Sequence, residues 1–204
     1  LNQDNNNRVA IDYNGLSPHL VHALVATEDE RFYEHSGIDF IALGRAIVKR
    51  GVMRQASAGG GSTITQQLAK QLFSEKAHST LERLLQKPIE WIIAVKLERH
   101  FTKEEILAMY FNYFDFLHNA VGIKRAANVY FNKEPRNLNV TESALLVGLC
   151  KNPSMFNPLR HPERCLQRRN VVLMQMVKSG YVTKDEYAEL SQRPLGIQIG
   201  RAHV

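Results

Sequence analysis

The chain has 204 residues, 44% hydrophobic and 23% charged, which is enough to bury a core and form one globular domain with room for two lobes. That balance excludes intrinsic disorder, a collagen-like repeat and a disulfide-stapled miniprotein. A net charge of +6, from 26 Lys and Arg against 20 Asp and Glu, favours a polyanionic or phosphate-bearing partner without naming it.

Taken in chain order, residues 1–14 are polar and Asn-rich and read as a tail leading into a domain at 15–204. From Leu20 onward apolar residues recur at helical spacing: Leu20, Val21, Leu24 and Val25, then Ile41, Leu43, Ile47 and Val48, then Leu81 through Ile93. The pattern returns around Ile106, Ala144 and Val171, and Thr102 with Glu105 and Thr183 with Glu186 have capping-box spacing. No alternating strand pattern of convincing length occurs, so the expected class is mainly α with nine or ten helices. Two stretches interrupt the helices: the glycine-rich 54–62 and the proline-rich 151–162. The longest apolar run, 144–150, falls far short of the roughly 20 residues that span a bilayer. A start at Leu1 without a signal-peptide pattern reads as a mature or trimmed chain, leaving an upstream anchor open. Cys150 and Cys165 have no metal-ligand spacing and read as buried thiols, with a disulfide open in an oxidising compartment.

Three segments could carry chemistry. Glu28, Asp29 and Glu30 fall near the C-terminal end of a helix, where the macrodipole disfavours negative charge. Crowded carboxylates beside Phe32 could supply a general base, although a solvated acidic turn offset by Arg31 and His35 would look the same. In Gly59 to Lys70 a glycine-rich loop opens a helix whose N-terminal amides and Lys70 suit a phosphate. This is not the nucleotide P-loop, which needs Lys directly after its last Gly, and an ordinary capped helix fits as well. Third, Lys87 and Glu90 could face a cleft, or could simply belong to a first turn begun by Pro88. Charge is segregated: 40–74 contains no acid, and 151–178 holds six basic residues against one acidic.

In combination these motifs resemble the peptidoglycan glycosyltransferase family, the transglycosylase module of class A penicillin-binding proteins and monofunctional transglycosylases. Glu28 to Gly37 is similar to E-D-x-x-F-x-x-H-x-G, and Gly61 to Gln67 reproduces G-S-T-I-T-Q-Q. Lys87 and Glu90 match K-x-x-E, Lys103 to Asn112 follows the fourth motif, and Asn157-Pro158 with Arg168-Arg169-Asn170 match the C-terminal signatures. The resemblance implies a lysozyme-like helical lobe with a smaller mobile jaw lobe, polymerising lipid II with inversion and release of undecaprenyl pyrophosphate. It makes Glu28 the base and assigns Glu90, Lys70, Lys87 and one of Arg168 or Arg169 to the pyrophosphate. Asp29, His35, Ser62, Thr63, Gln66, Gln67, Tyr110 and Asn112 fall at its substrate-binding positions.

A divalent metal, Mg or Mn, is the cofactor it allows. Its implied partners are lipid II, the nascent glycan strand, the membrane surface and a cell-wall synthesis complex, at the outer face of the bacterial cytoplasmic membrane. Departures occur at Gln86, Pro88, Ala108, Leu117 and Asn119, the last two standing where glycines normally follow Asn112. A degenerate lipid II or cell-wall scaffold and a lysozyme-like peptidoglycan-cleaving enzyme are the competing readings. No nucleic-acid module is recognisable, and the absence of S-x-x-K, S-x-N and K-T-G leaves no transpeptidase in this chain.

Overall fold

A computed structural model describes residues 9–51, 61–73 and 80–198. Nine helices lie among them: α1 Pro18–Glu28, α2 Phe40–Gly51, α3 Ile64–Phe73, α4 Thr80–His100, α5 Lys103–Tyr113, α6 Ile123–Phe131, α7 Val140–Lys151, α8 Pro162–Lys178 and α9 Lys184–Leu190. Short 3₁₀ turns occupy Tyr13–Gly15, Phe32–Glu34 and Pro135–Asn137. The only extended pairing among the described residues is an isolated bridge between Asp115 and Val121, so the mainly α expectation holds. Most of the glycine-rich segment, 54–60, lies outside the described residues.

The chain divides into two compact units, one formed by Glu28–Tyr110 and the other by the sequence on either side of it. In the flanking unit α7 packs on α8. Ala144, Leu145, Leu146, Val147 and Leu149 are all buried, so the apolar run at 144–150 is a helix enclosed all round rather than an amphipathic one. Gly148 permits this approach, since a Cβ there would stand 3.2 Å from Arg168 Cγ. The sequence 152–161 separates α7 from α8, whose first residue is Pro162, a position where the missing amide costs nothing. Both cysteines are free thiols, and burial drives Cys165 up to about 12 against the opposing charge of Arg169.

The segment 114–121 belongs to the same core: Phe116 and Ala120 have no exposed surface. Between them Leu117, His118 and Asn119 take φ of 65°, 51° and 58°, three consecutive left-handed residues without a glycine. The turn is closed by Ala120 N–H to Leu117 O at 2.8 Å and by Phe116 N–H to Ala120 O at 3.0 Å. From outside it Tyr130 Oη donates to Phe116 O at 2.7 Å.

In the Glu28–Tyr110 unit α3 packs against α4. Contrary to a first-turn reading of Pro88, α4 begins at Thr80 and contains Pro88 in its interior. Gly37, at φ +93°, lies so close to α4 that a Cβ would meet Ala94 C and O at 2.9 Å. Only glycine satisfies both the backbone angle and the space. The capping boxes foreseen at Thr102 and Thr183 are formed, and Asn139 with Glu142 adds a third at α7.

Candidate functional site

Glu28 is the last residue of α1. Its Oε2 accepts from Gln67 Nε2 at 3.1 Å, and Gln67 Oε1 accepts from Tyr110 Oη, also at 3.1 Å. The tyrosine hydroxyl fixes which end of the Gln67 amide faces the carboxylate, because only its oxygen can accept. Gln67 lies in the first turn of α3 and its amide N–H bonds Thr63 O at 3.0 Å, so the helix start sets where the side chain begins.

Asp29 turns inward and is buried. Its Oδ2 accepts the Ile64 amide at 3.0 Å, and its two oxygens lie 3.0 and 3.1 Å from His35 Nε2. Thr63 N–H reaches Gln66 Oε1 at 3.3 Å, Gln66 N–H reaches Thr63 Oγ1 at 3.1 Å, and Thr63 Oγ1 donates to Gly37 O at 2.7 Å. These bonds correct the expectation that the start of α3 offers its amides to a phosphate: the Thr63, Ile64 and Gln66 amides are taken by side chains of the protein. Asp29 is the anion at that helix terminus. Asp29, His35, Thr63 and Gln66 therefore hold the acidic turn onto α3, while Ser62 lies half-buried just ahead of the helix. Lys70 is exposed in the last turn of α3, nearly two turns from the loop.

Lys87 Nζ meets Glu90 Oε2 at 2.7 Å, with Glu90 buried and Lys87 about half exposed. These two come together as their i, i+3 spacing suggests. Among the described residues no group of three or more His, Cys, Asp or Glu side chains is placed to hold a metal, and Glu90 is already engaged by Lys87.

Two residues expected at the substrate are committed elsewhere, in the flanking unit. Asn112 accepts Ile11 N–H at 3.1 Å and donates to Ile11 O at 2.8 Å, which also ties down the end of the expected tail. Arg169 is fully buried and donates to the carbonyls of Leu190, Ser191, Arg193 and Pro194, holding the chain that leaves α9. Arg168 lies beside it, with Nε 3.4 Å from Gly148 O and its guanidinium 5.9 Å from the Phe156 ring.

A cluster that motif spacing does not reveal joins Thr65, Glu98 and Lys103. Thr65 Oγ1 donates to Glu98 Oε1 at 2.6 Å; Lys103 Nζ lies 2.7 Å from Glu98 Oε2 and 2.7 Å from His35 O, over the Phe32 ring at 4.3 Å. The readable signal was electrostatic: Glu98 is in the last turn of α4 and Lys103 opens α5, each at the helix end whose dipole disfavours its sign.

Comparison with known proteins identifies the family. Residues 1–177 match the family model described as Transglycosylase. Penicillin-binding protein 1A of Aquifex aeolicus is 43% identical over 94% of this chain and 26% of its own length. Penicillin-binding protein 1F of Bacillus subtilis is 40% identical over 95% of this chain and 26% of its own length. Penicillin-binding protein 1A of Escherichia coli is 40% identical over 88% and 21%, respectively. The chain thus spans about a quarter of the length of the curated relatives it matches. It belongs to the transglycosylase family, as a peptidoglycan glycosyltransferase module of the kind carried by class A penicillin-binding proteins.

Proposed function

We propose that this chain polymerises lipid II, with Glu28 as the general base. The observation that carries the reading is the Tyr110–Gln67–Glu28 chain of hydrogen bonds, which fixes the direction of a carboxylate at the end of α1. Glu28 takes the proton from the 4-hydroxyl of the acceptor N-acetylglucosamine. The freed oxygen attacks the anomeric carbon of the donor from the face opposite the leaving group, which inverts that centre. Undecaprenyl pyrophosphate departs with the bonding electrons. Lys70 and Lys87 supply positive charge for the pyrophosphate, and Glu90 holds Lys87 in place for it. Asp29, His35, Thr63 and Gln66 act one step back, by keeping the acidic turn on α3.

The membrane surface is the partner that α2 fits. Phe40, Ile41, Ile47 and Val48 recur at seven-residue spacing on one face of that helix and all are exposed, with Arg45 exposed nearby. Among the described residues no helix is long and apolar enough to cross a membrane, so contact through α2 is interfacial. On this reading the active module works at the outer face of the bacterial cytoplasmic membrane, among the proteins of cell-wall synthesis, with the growing glycan strand as its product.

The test is polymerisation of fluorescent lipid II, with Glu28→Gln alongside and moenomycin as competitor. Glycan ladders that vanish in the variant and with moenomycin are expected. Binding without ladders would support the scaffold reading instead, and release of soluble muropeptides from sacculi would support the hydrolase.

A further inference from the structure

We infer that Thr65, Glu98 and Lys103 are positioning residues for the Glu28–Gln67 pair, through a single ion pair that clamps the two segments carrying them. The inference rests on the reading of Glu28 as base. Glu28 and Gln67 are 39 residues apart and meet only because the turn after α1 and the first turn of α3 are held together. Asp29 makes one such tie, at the Ile64 amide. The Glu98–Lys103 pair makes another. Its carboxylate takes the Thr65 hydroxyl, two residues before Gln67, while its ammonium takes the His35 carbonyl and covers Phe32, both on the acidic turn.

Neither charge would sit where it does without the other. A carboxylate in the last turn of α4 and an ammonium at the first residue of α5 each oppose the local dipole, and the Glu98 side chain is only 5% exposed. A locally unfavourable pair kept at the corner between two helices, and touching both segments of the site, is what a positioning device requires. Its loosening displaces Gln67 from Glu28, which acts on the chemical step rather than on lipid binding by Lys70 or Lys87.

Thr65→Val removes the hydroxyl at nearly constant volume, and Thr65→Ser keeps it. In the lipid II assay Thr65→Val is expected to lower kcat about tenfold, equivalent to about 1.4 kcal/mol, with KM within about twofold of wild type. Thr65→Ser is expected to restore kcat, which a loss of packing alone would not do. Should Thr65→Val lose its fold by circular dichroism, Glu98→Gln carries the same expectation, because it keeps the shape but weakens the hold on Lys103. A folded variant with unchanged kcat, a loss confined to KM, or a failure of Ser to rescue would overturn the inference. Glu28→Gln, measured beside them, separates the two ideas: an active Glu28→Gln removes the base reading itself, whereas an inactive one with unaffected Thr65 and Glu98 variants removes only the clamp.

Discussion

Replacing Gly37 by alanine tests how tightly the acidic turn is seated on α4. Two costs add. A φ of +93° is disfavoured for any L side chain by about 1 kcal/mol. The new Cβ would also stand 2.9 Å from Ala94 C and O and 3.0 Å from Val95 N, all helix backbone that cannot swing aside as a side chain would. Overpacking of this kind adds roughly 1–3 kcal/mol, for a total of roughly 2–4 kcal/mol. The single tryptophan, Trp91, lies on α4 one turn before Ala94, so its fluorescence in a urea titration reports the unit in question. Gly180→Ala, in the flanking unit and followed by circular dichroism in the same titration, is the control: φ is +76° there but nothing lies within 4 Å, so only the conformational cost of about 1 kcal/mol applies. Equal losses for the two variants would refute the claim that backbone contact, rather than backbone angle, demands glycine at 37.

Three further outcomes follow from the flanking unit. Arg169→Met should destabilise by roughly 2–4 kcal/mol and expose 190–198 to proteolysis, since four carbonyls lose a charged donor; unchanged protease resistance would count against it. His22 is stacked on Tyr181 at 4.1 Å, and burial, then the nearby His19, hold its pKa below the ordinary 6.5. The unfolded chain therefore binds more protons as pH falls through 6.5, so stability is present above that pH and lost below it. His22→Phe should remove that part of the slope in urea midpoints measured from about pH 7.5 to 5.5. Leu117→Gly should raise stability by up to about 1 kcal/mol by relieving the left-handed residue, and a loss larger than that would show that Leu117 packing outweighs its strain.

What could be read in the sequence was what is local. The Thr102 and Thr183 capping boxes involve residues three apart, and both form. The Lys87–Glu90 pair lies one helical turn apart and meets. The carboxylates at 28–30 could be flagged as breaking a dipole rule, but not sorted: that Glu28 faces Gln67 while Asp29 turns to the Ile64 amide depends on pairings 39 and 35 residues away. Which of Arg168 and Arg169 is committed to the fold was not legible, since a guanidinium is expected in water or on a phosphate and the burial of Arg169 under four carbonyls is a tertiary outcome. Glu98 and Lys103 sit either side of a helix break, five residues apart, a spacing that no helical rule brings together.

The pair of hydrogen bonds between Asn112 and Ile11 limits what position 112 can tolerate. The side-chain amide reproduces, at one residue, the paired N–H and C=O by which two strands recognise each other. Aspartate would set a second acceptor against the Ile11 carbonyl, leucine would leave both main-chain groups without their partner, and glutamine would overreach by a methylene. An asparagine inside a family signature can thus be irreplaceable as a substitute peptide group, and an inactive Asn112 variant would by itself say nothing about contact with a sugar.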